Sequence, residues 1–430
     1  MGSAYFLHLS DIHFYYSSNR PDLDRVIRKD LLNDLKTCKA DYKKIGGVLI
    51  SGDIAFSAQP EQYKIAKKWI REILDICHCD IKNLVLIPGN HDVDYAKSKR
   101  TSPKFYRISL RGATNQHNLD KIISGFYEDV AMDVLFDSFQ AFNDFAVSYN
   151  CDIHPKNPVA SKEIKIPGLP KFKIVGMNSC LASDKDEDNI KQGDSLINEQ
   201  ILTSYQLETD WDDKLFHISL CHHPTNWIKF SKEVEQAFDA RFSIQLFGHE
   251  HKGRIITNGN NIKIFAGAIQ PERDGDKWKP SYNFIKFTKA DIKDHMEIEI
   301  IGRVWNKTSH SFGCDTPESH KYKIKLPKRH RLKGNDKTKI SDQSETKEIS
   351  IEMKNTDVIQ KNLSAETYYS FFSLPHVIRL SILMELNVYD SSDGMYGPIE
   401  CCKRGVLRIV KNKKETEFER LVVKNNGSGV

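Results

Sequence analysis

The sequence predicts an α/β fold with a helical insertion and a small helical domain near the C-terminus. Over the first 95 residues, short apolar runs alternate with stretches of helical periodicity in the order strand, helix, strand, helix, strand. A polar cluster follows each of these three strands. Ligand sites of open α/β sheets form beyond the carboxyl ends of the strands, so functional residues are expected at this edge.

The elements follow one another in a regular order. Apolar runs predict strands at Tyr5–Ser10, Gly47–Ser51 and Leu84–Pro88, and periodicity predicts helices at Leu23–Thr37 and Glu61–Ile76. Residues from about 95 to 165 interrupt this pattern and predict an inserted helical cap, whose apolar positions are Val134, Leu135, Phe139, Phe142, Phe145, Ala146 and Tyr149. Strand signals resume at Phe172–Met177, Leu215–Cys221, Ser243–Phe247, Ile262–Ala266 and Tyr282–Thr288.

Composition divides the chain into three parts. Residues 1–329 carry the strand and helix signals of one large domain, which includes the cap. Residues 330–362 are rich in charged and hydroxylated side chains and poor in large apolar ones, which is typical of a linker. Residues 363–430 regain order signals and predict a small helical domain, with Pro375 in a first helical turn.

The net charge of +5 is a local property of the chain. Nine lysines and arginines lie between His320 and Ile340, against Asp336 alone. Such a basic stretch suits either a solvated linker or a contact with phosphates, and both interpretations stay open. The chain has neither a signal-peptide pattern nor an apolar stretch long enough for a membrane helix, and its nine cysteines have no regular spacing. We therefore expect a cytoplasmic protein without a membrane partner.

Seven side chains with metal-binding chemistry fall at the ends of the predicted strands. They are Asp11, His13, Asp53, Asn90, His222, His249 and His251. A single histidine at a strand end is usually an ordinary polar residue, but seven such residues in order favour a metal site. Oxygen and nitrogen ligands without a thiolate suit divalent manganese, iron or zinc. Two ions that share one carboxylate need about this number of ligands, and Asp53 is central in the order.

The motifs around these residues resemble the calcineurin-like metallophosphoesterase superfamily. The sequence contains DIH at 11–13, GD at 52–53, GNHD at 89–92, His222, and GHEH at 248–251, which match the family's five blocks in order. The resemblance implies a β-sandwich flanked by helices in an αββα arrangement. It also implies a dinuclear centre of two divalent ions, with manganese favoured and iron, zinc or nickel as the alternatives.

The resemblance assigns a role to each matching residue. Asp11, His13 and His251 would bind one ion, Asn90, His222 and His249 the other, and Asp53 would bridge them. His223, beside the matched His222, would support the ligands from behind. His91 would donate a proton or a hydrogen bond to the leaving oxygen, and Asp92 would orient the imidazole of His91. Such a pair of ions would generate a metal-bound hydroxide that attacks the phosphorus.

Departures from the family pattern narrow the substrate class. The block SGDIAFSAQPEQY lacks the Asp-Arg-Gly of Ser/Thr protein phosphatases, and GNHD replaces GNHE. Both features resemble the cyclic-nucleotide phosphodiesterase and nuclease branches. The segment SLPHVIRLSILMELNVYDSSDGMYG also resembles the small adaptor domains of bacterial defence systems, which recruit a protein partner.

The sequence therefore predicts a phosphodiesterase, favouring a nuclease-type effector of bacterial defence that acts on nucleic acid and binds a protein partner through residues 363–430. A phosphodiesterase for small or cyclic nucleotides is the alternative. A catalytically silent metal-binding adaptor is least favoured, because silent members usually lose ligands and this chain retains all seven together with His91.

Overall fold

The computed structural model describes most of the first 326 residues and two short strands near the C-terminus. The described residues are 2–19, 22, 24–38, 42, 45–184, 200–207, 212, 215–270, 279–292, 294–315, 320–326, 407–411 and 416–420. The chain divides into two compact units, Met1–Arg331 and Leu332–Val430.

The first unit contains two β-sheets. The first sheet has the order β12-β11-β10-β1-β2-β3, with β13 also paired to β11, and the second has the order β4-β5-β6-β7-β9-β8. The strands of the unit are β1 Ser3–Leu9, β2 Ile45–Ile50, β3 Leu84–Leu86, β4 Val159–Ile164, β5 Lys171–Met177, β6 Leu215–Cys221, β7 Ile244–Phe247, β8 Arg254–Asn258, β9 Asn261–Phe265, β10 Ser281–Lys289, β11 His295–Asn306, β12 Ser311–Cys314 and β13 His320–Lys325.

Aromatic side chains fill the space between the two sheets. Phe6 of β1 and Phe287 of β10 meet Phe172 of β5, with ring centroids 5.2 and 5.1 Å apart. Phe216 of β6 lies 6.0 Å from Phe287 in the same layer. All four rings are buried, and an aromatic side chain contributes a large apolar area to a core. These contacts hold the two sheets face to face as a sandwich.

Helices cover the outer faces of both sheets. On the first sheet, α1 buries Ile27, Leu31 and Leu35 at helical spacing, and the indole of Trp69 in α2 donates to the carbonyl of Arg28 in α1. On the second sheet, Val234 and Phe238 of α9 join the same buried cluster as strand residues of β5 to β9. The helices are α1 Arg25–Cys38, α2 Pro60–Cys77, α3 Tyr95–Ser98, α4 Thr101–Arg111, α5 Gln116–Glu128, α6 Ala131–Phe136, α7 Gln140–Ala146, α8 Ser204–Leu207 and α9 Ser231–Arg241. The predicted αββα architecture is confirmed.

The inserted region is helical over a shorter range than the sequence suggested. Helices α3 to α7 and short 3-10 turns occupy residues 95–149, whereas Val159–Ile164 forms β4 at the edge of the second sheet. The predicted packing positions Phe142, Phe145 and Tyr149 are buried. Phe145 stacks on Tyr63 of α2 with centroids 5.1 Å apart, so this aromatic stripe is core packing rather than a substrate surface.

The basic stretch begins inside the first sheet of the first unit. The first residues of the basic stretch, His320–Lys325, form β13 and pair antiparallel with β11. The predicted linker 330–362 lies outside the described residues.

Most of the predicted helical domain 363–430 also lies outside them. Two stretches within it are described as an antiparallel pair, β14 Leu407–Lys411 and β15 Thr416–Arg420, where helix was expected. The β-branched residues Ile409 and Val410 favour a strand over a helix, which explains this difference. Among the described residues, none of the helices combines the length and the apolar character needed to cross a bilayer.

Parallel pairing brings the polar clusters to a common edge. In the first sheet β1, β2 and β3 are parallel neighbours, and in the second sheet β5, β6, β7 and β9 are parallel. Asp11, Asp53 and Asn90 follow the first three strands, and His222 and His249 follow β6 and β7. The ring of His222 contacts the carbonyl oxygen of Ser51 at 2.8 Å from Nδ1, which joins the two sheets at this edge.

Candidate dinuclear metal centre

An unusual backbone conformation recurs at the predicted ligands. Asp11, His13, Asp53, His249 and His251 all have φ between +49° and +69°. They are five of the eleven non-glycine residues with positive φ among the described residues. This left-handed conformation costs a side-chain-bearing residue about 1–3 kcal/mol and persists where surrounding structure enforces it, commonly at functional sites. In both the DIH and the GHEH blocks, the turn directs two side chains that are two residues apart into one centre.

The first cluster of possible ligand atoms comprises Asp11, His13 and His251. His251 Nε2 lies 3.3 Å from Asp11 Oδ1, and Asp11 Oδ2 accepts a hydrogen bond of 3.2 Å from the backbone N–H of His249. Asp11 is completely buried, whereas the His251 side chain is 29% exposed. The three residues that the sequence assigned to one ion are therefore together, and one of them borders solvent.

The second cluster comprises His222, His223 and His249, with Asn90 beside them. Asn90 Oδ1 lies 3.0 Å from His222 Nε2 and 3.1 Å from His249 Nδ1. The three residues that the sequence assigned to the second ion are likewise together. His223 is an addition to that set: it is fully buried, and its ring centroid lies 4.4 Å from that of His249.

Asp53 occupies the position between the clusters. Its Oδ2 lies 3.8 Å from His13 Nε2 in the first cluster's loop and 3.4 Å from His222 Nε2 in the second cluster. Its Oδ1 accepts a hydrogen bond of 2.9 Å from the backbone N–H of His91. This geometry is what a carboxylate shared by two ions requires.

Glycines allow the loops to approach this closely. A Cβ on Gly89 would lie 2.0 Å from Asp53 Oδ1, and a Cβ on Gly52 would lie 2.5 Å from His222 Nδ1. Gly52 also has a φ of +100°, which side-chain-bearing residues rarely adopt. The glycines that precede Asp53 and Asn90 in the motifs are therefore required by contact with the metal-binding side chains.

Protonation states in the site suit cation binding. Burial lowers the pKa of His13 and His249 to about 3, so both rings are neutral at pH 7 and offer a lone pair. Burial alone would raise the pKa of Asp53, but the charges of His222 and His91 hold it well below its ordinary value. Burial likewise opposes the ionised form of Asp11, but its hydrogen bond with His251 lowers the pKa. The carboxylates are thus anionic and the imidazoles of His13 and His249 neutral, as metal coordination requires. Burial lowers the pKa of His222 and His251 too, but Asp53 raises that of His222 to about 9 and Asp11 raises that of His251 above its ordinary value, so these two rings would release a proton when a cation binds.

Unsatisfied buried atoms test whether the residues fit metal ions. Among the described residues, His13 Nδ1 and His223 Nε2 are buried without a hydrogen-bond partner. Such atoms cost free energy unless a ligand compensates for the lost water. Two of them within one constellation of carboxylate and imidazole donors fit a site that binds divalent cations.

His91 lies beside the first cluster, as predicted for a catalytic residue. Its ring centroid is 4.6 Å from that of His13, and the residue is partly exposed. His91 Nδ1 is 2.8 Å from the carbonyl oxygen of Phe56, which can only accept, so Nδ1 carries the hydrogen. The backbone carbonyl of Phe56 therefore orients the imidazole and leaves Nε2 as the second functional atom.

The predicted role of Asp92 as the orienting group of His91 is wrong. The Asp92 carboxylate accepts hydrogen bonds from the backbone N–H groups of Ile54, Ala55 and Gly89 and from the hydroxyl of Tyr63, at 2.8–3.0 Å. These four donors occupy a carboxylate that is fully buried. Burial and the nearby Asp53 carboxylate raise the pKa of Asp92 to about 6. Asp92 ties the loops after β2 and β3 together, and it positions the metal ligands rather than the imidazole.

Aromatic side chains surround the histidines, and the sequence patterns did not single them out. Phe56 is 43% exposed, and its ring centroid lies 5.6 Å from His91 and 5.6 Å from Tyr15. Tyr16, the neighbour of Tyr15 in the loop after β1, is 52% exposed. Trp227 packs edge-on against His249 with centroids 4.5 Å apart. The run HFYY that follows the first motif was the available signal for this aromatic rim, which consists of Tyr15, Tyr16, Phe56 and Trp227.

Comparison with known proteins identifies the family. The model of the calcineurin-like phosphoesterase family matches residues 4–253. No curated protein matches the chain. One similar solved structure is Vps29 from Entamoeba histolytica, with 13% identity and a TM-score of 0.32, covering 74% of this chain and 99% of that chain.

Two further solved structures resemble parts of the chain. One is GAP50 of Plasmodium, with 10% identity and a TM-score of 0.37, covering 76% of this chain and 90% of that chain. The other is a putative 5'-nucleotidase from Staphylococcus aureus, with 11% identity and a TM-score of 0.32, covering 82% of this chain and 58% of that chain. Likeness at this level carries no conclusion about activity. On the match of its family model, the chain belongs to the calcineurin-like phosphoesterases, which are metal-dependent hydrolases of phosphate esters.

Proposed function

We propose that the protein is a metal-dependent phosphodiesterase that acts on nucleotide or nucleic-acid substrates. The proposal depends above all on one observation, the convergence of seven potential ligands into two adjoining clusters with Asp53 between them. We assign Asp11, His13 and His251 to one divalent ion and Asn90, His222 and His249 to the other. Carboxylate and amide oxygens beside imidazoles favour manganese, with iron, zinc or nickel as alternatives.

The chain's own residues would divide the remaining work. Two bound ions polarise a phosphoryl group and lower the pKa of water. His91, held at Nδ1 by the Phe56 carbonyl, would present Nε2 toward the leaving oxygen and supply a proton when the ring is doubly protonated. Asp92 would hold the loops that carry Asp53 and Asn90 at a fixed separation.

The aromatic rim supports a substrate that contains nucleobases. Exposed aromatic side chains cost solvation free energy, and bases stack on such rings at a gain of about 1–3 kcal/mol each. Phe56 is exposed beside His91, where the base next to a scissile phosphate would lie, and Tyr16 adds a second exposed ring next to Tyr15, which contacts Phe56. The missing Asp-Arg-Gly motif argues against a phosphoprotein substrate.

A role as a nuclease-type effector of bacterial defence remains a prediction. It depends on residues 363–430, which would bind a protein partner, and most of these lie outside the described residues. A silent adaptor stays the least favoured alternative because all seven ligands and His91 are present.

The activity can be tested with chromogenic esters. Protein loaded with manganese should hydrolyse bis-p-nitrophenyl phosphate with a larger kcat/KM than p-nitrophenyl phosphate, a monoester. Asp53→Asn should lower kcat/KM roughly thousandfold, or about 4 kcal/mol, and reduce the bound metal measured by elemental analysis. Asp75→Asn, an exposed change on α2, is the matched control and should alter neither quantity.

Two results would contradict the proposal. One is the absence of hydrolysis by the metal-loaded protein, and the other is full activity of Asp53→Asn. If the protein hydrolyses the diester, a panel of single-stranded DNA, duplex DNA, RNA and cyclic nucleotides distinguishes polynucleotide substrates from small ones.

A further inference from the structure

A cavity of about 440 Å³ adjoins the first cluster of the metal centre. His251 forms part of its wall, followed by Lys252 and Arg254 on the chain that leads into β8. The opposite wall is formed by β10 and β11 of the first sheet. The volume lies in the range of roughly 300–1,000 Å³ that is usual for ligand sites. Whatever binds at the ions therefore has room to extend into this cavity.

The side chains around the cavity are mainly cationic. Of the residues that the structure describes, Lys252, Arg254, Lys279 and Arg303 line it, together with one carboxylate, that of Asp315. Two of the cations already have partners. Arg254 lies 2.6 Å from Glu250 and stacks on the Phe265 ring at 3.9 Å, and Arg303 donates to buried Asp34 at 2.5 and 2.9 Å.

Lys252 and Lys279 are the cations available to a ligand. Both are exposed, and among the described residues neither forms a salt bridge with a carboxylate. Two lysines at the mouth of a cavity beside a cation-binding centre suit an anion that carries more than one negative charge. Phosphate groups along a nucleic-acid strand have this character, with one charge per about 3.4 Å of strand.

Two described lysines of the basic stretch, Lys321 and Lys323, are less suited to phosphates. Lys321 lies 3.8 Å from Glu299, and Lys323 lies 3.2 Å from Glu297, across the pairing of β13 with β11. These two lysines face carboxylates on the neighbouring strand, which compensate part of their charge, whereas Lys252 and Lys279 have no such partner among the described residues.

We propose that this cavity binds the phosphate backbone of a polynucleotide strand next to its scissile phosphate, through Lys252 and Lys279. The inference rests on the proposed phosphodiesterase function and makes its substrate class specific, because a nucleoside monophosphate or a cyclic mononucleotide has no neighbouring phosphate to occupy the cavity. Asn283, nearly buried in the cavity wall, adds a neutral amide that can bond a sugar or phosphate oxygen.

Equilibrium binding tests the subsite without catalysis. The dissociation constant of a 5'-fluorescent 12-nucleotide oligothymidylate is measured by polarisation in EDTA, where hydrolysis does not occur. The double variant Lys252→Ala/Lys279→Ala should raise this constant about tenfold and lower the slope of its salt dependence by about 1 to 2. Lys323→Ala, an exposed lysine from the basic stretch, is the matched control and should change neither.

Kinetics separates this inference from the proposed function. The double variant should raise the ratio of the KM for the oligonucleotide to the KM for bis-p-nitrophenyl phosphate about tenfold. An unchanged dissociation constant and KM ratio in an enzyme that still hydrolyses the chromogenic diester would overturn the subsite alone. A wild-type protein that hydrolyses the diester but neither binds nor cleaves the oligonucleotide would also overturn it. A wild-type protein that does not hydrolyse the chromogenic diester would instead overturn the proposed function.

Discussion

The two ligand clusters differ in chemistry and in access to solvent. The first contains the Asp11 carboxylate, lies beside Asp53, and ends at His251, which is 29% exposed and borders a cavity. The second contains imidazoles and the amide of Asn90, and its His222 and His223 are completely buried. Each set of assigned ligands contains two imidazoles, but its oxygen ligand is an anionic carboxylate in the first cluster and a neutral amide in the second, and a carboxylate favours harder ions. One protein can therefore hold two ions of unequal affinity in one centre.

This asymmetry suggests a division of roles. The buried cluster, in which His249 is the partly exposed member, would retain its ion more firmly, because His222 is completely buried and contacts Ser51 of the first sheet and Asn90. The open cluster lies beside His91 and the cavity, where substrate would enter. The ion that exchanges most readily would then also be the one nearest to the substrate.

The largest expected effect comes from removing one histidine from each cluster in turn. His251→Ala and His249→Ala should each lower kcat/KM for bis-p-nitrophenyl phosphate about a thousandfold, because both ions stabilise the transition state. Their metal contents should differ. His251→Ala should retain about one equivalent of tightly bound ion, whereas His249→Ala should weaken binding of the ion that the wild-type protein holds most firmly.

Stepwise dialysis against increasing chelator gives the readout. The wild type should lose one equivalent well before the other, and His251→Ala should lack the early step. Simultaneous release of both ions from the wild type would show that the clusters are equivalent and would remove the asymmetry. His117→Ala, an exposed change on α5, is the control for loss of a histidine.

The sequence predicted which side chains would converge, because the elements that carry them are encoded locally. β1, β2, β6 and β7 are buried apolar runs that end at polar residues, and this pattern is visible without any tertiary information. The DIH and GHEH spacings reflect a turn in which residues i and i+2 both adopt the left-handed conformation. A motif of that kind is short enough to be recognised in one sequence.

The sequence did not reveal strands in which buried and more exposed residues alternate, nor contacts between residues that are far apart along the chain. β11 and β13 alternate buried and exposed residues, so no apolar run marked them, and the lysines of β13 suggested a linker. Asp92 was assigned to its neighbour His91, but its carboxylate binds backbone groups 37 and 38 residues away. The proximity of His223 to His249 likewise depends on the pairing of β6 with β7.

An intermediate effect is expected from His91→Ala, which tests whether catalysis can be lost without disturbing either cluster. The loss of the proton donor should lower kcat about a hundredfold. Both ions should remain, because Asp53 is bonded to the backbone N–H of His91 rather than to its ring. The loss should be smaller for substrates with better leaving groups. A fall in metal content equal to that of His251→Ala would make His91 a ligand of the open cluster instead.

The smallest expected effect concerns His223 and sharpens the description of the buried cluster. Its Nδ1 lies 2.9 Å from Ser179 Oγ, and its buried Nε2 has no hydrogen-bond partner among the described residues. Burial holds the pKa of His223 well below its ordinary value, so the ring is neutral and Nε2 can offer a lone pair when Nδ1 carries the hydrogen. We expect His223→Ala to weaken binding of the buried ion about tenfold, in the range found for residues that support ligands.

Calorimetric titration with zinc measures this change, and Ser179→Ala provides the companion variant. Removing the hydroxyl should release the ring orientation and produce a smaller loss in the same direction. A tenfold weakening confined to the open cluster would contradict the placement of His223 beside the buried ion. Equal affinities in wild type and His223→Ala would mean that the unsatisfied Nε2 of His223 faces no ion. The ligands of the buried ion would then be the imidazoles of His222 and His249 and the amide of Asn90, without His223.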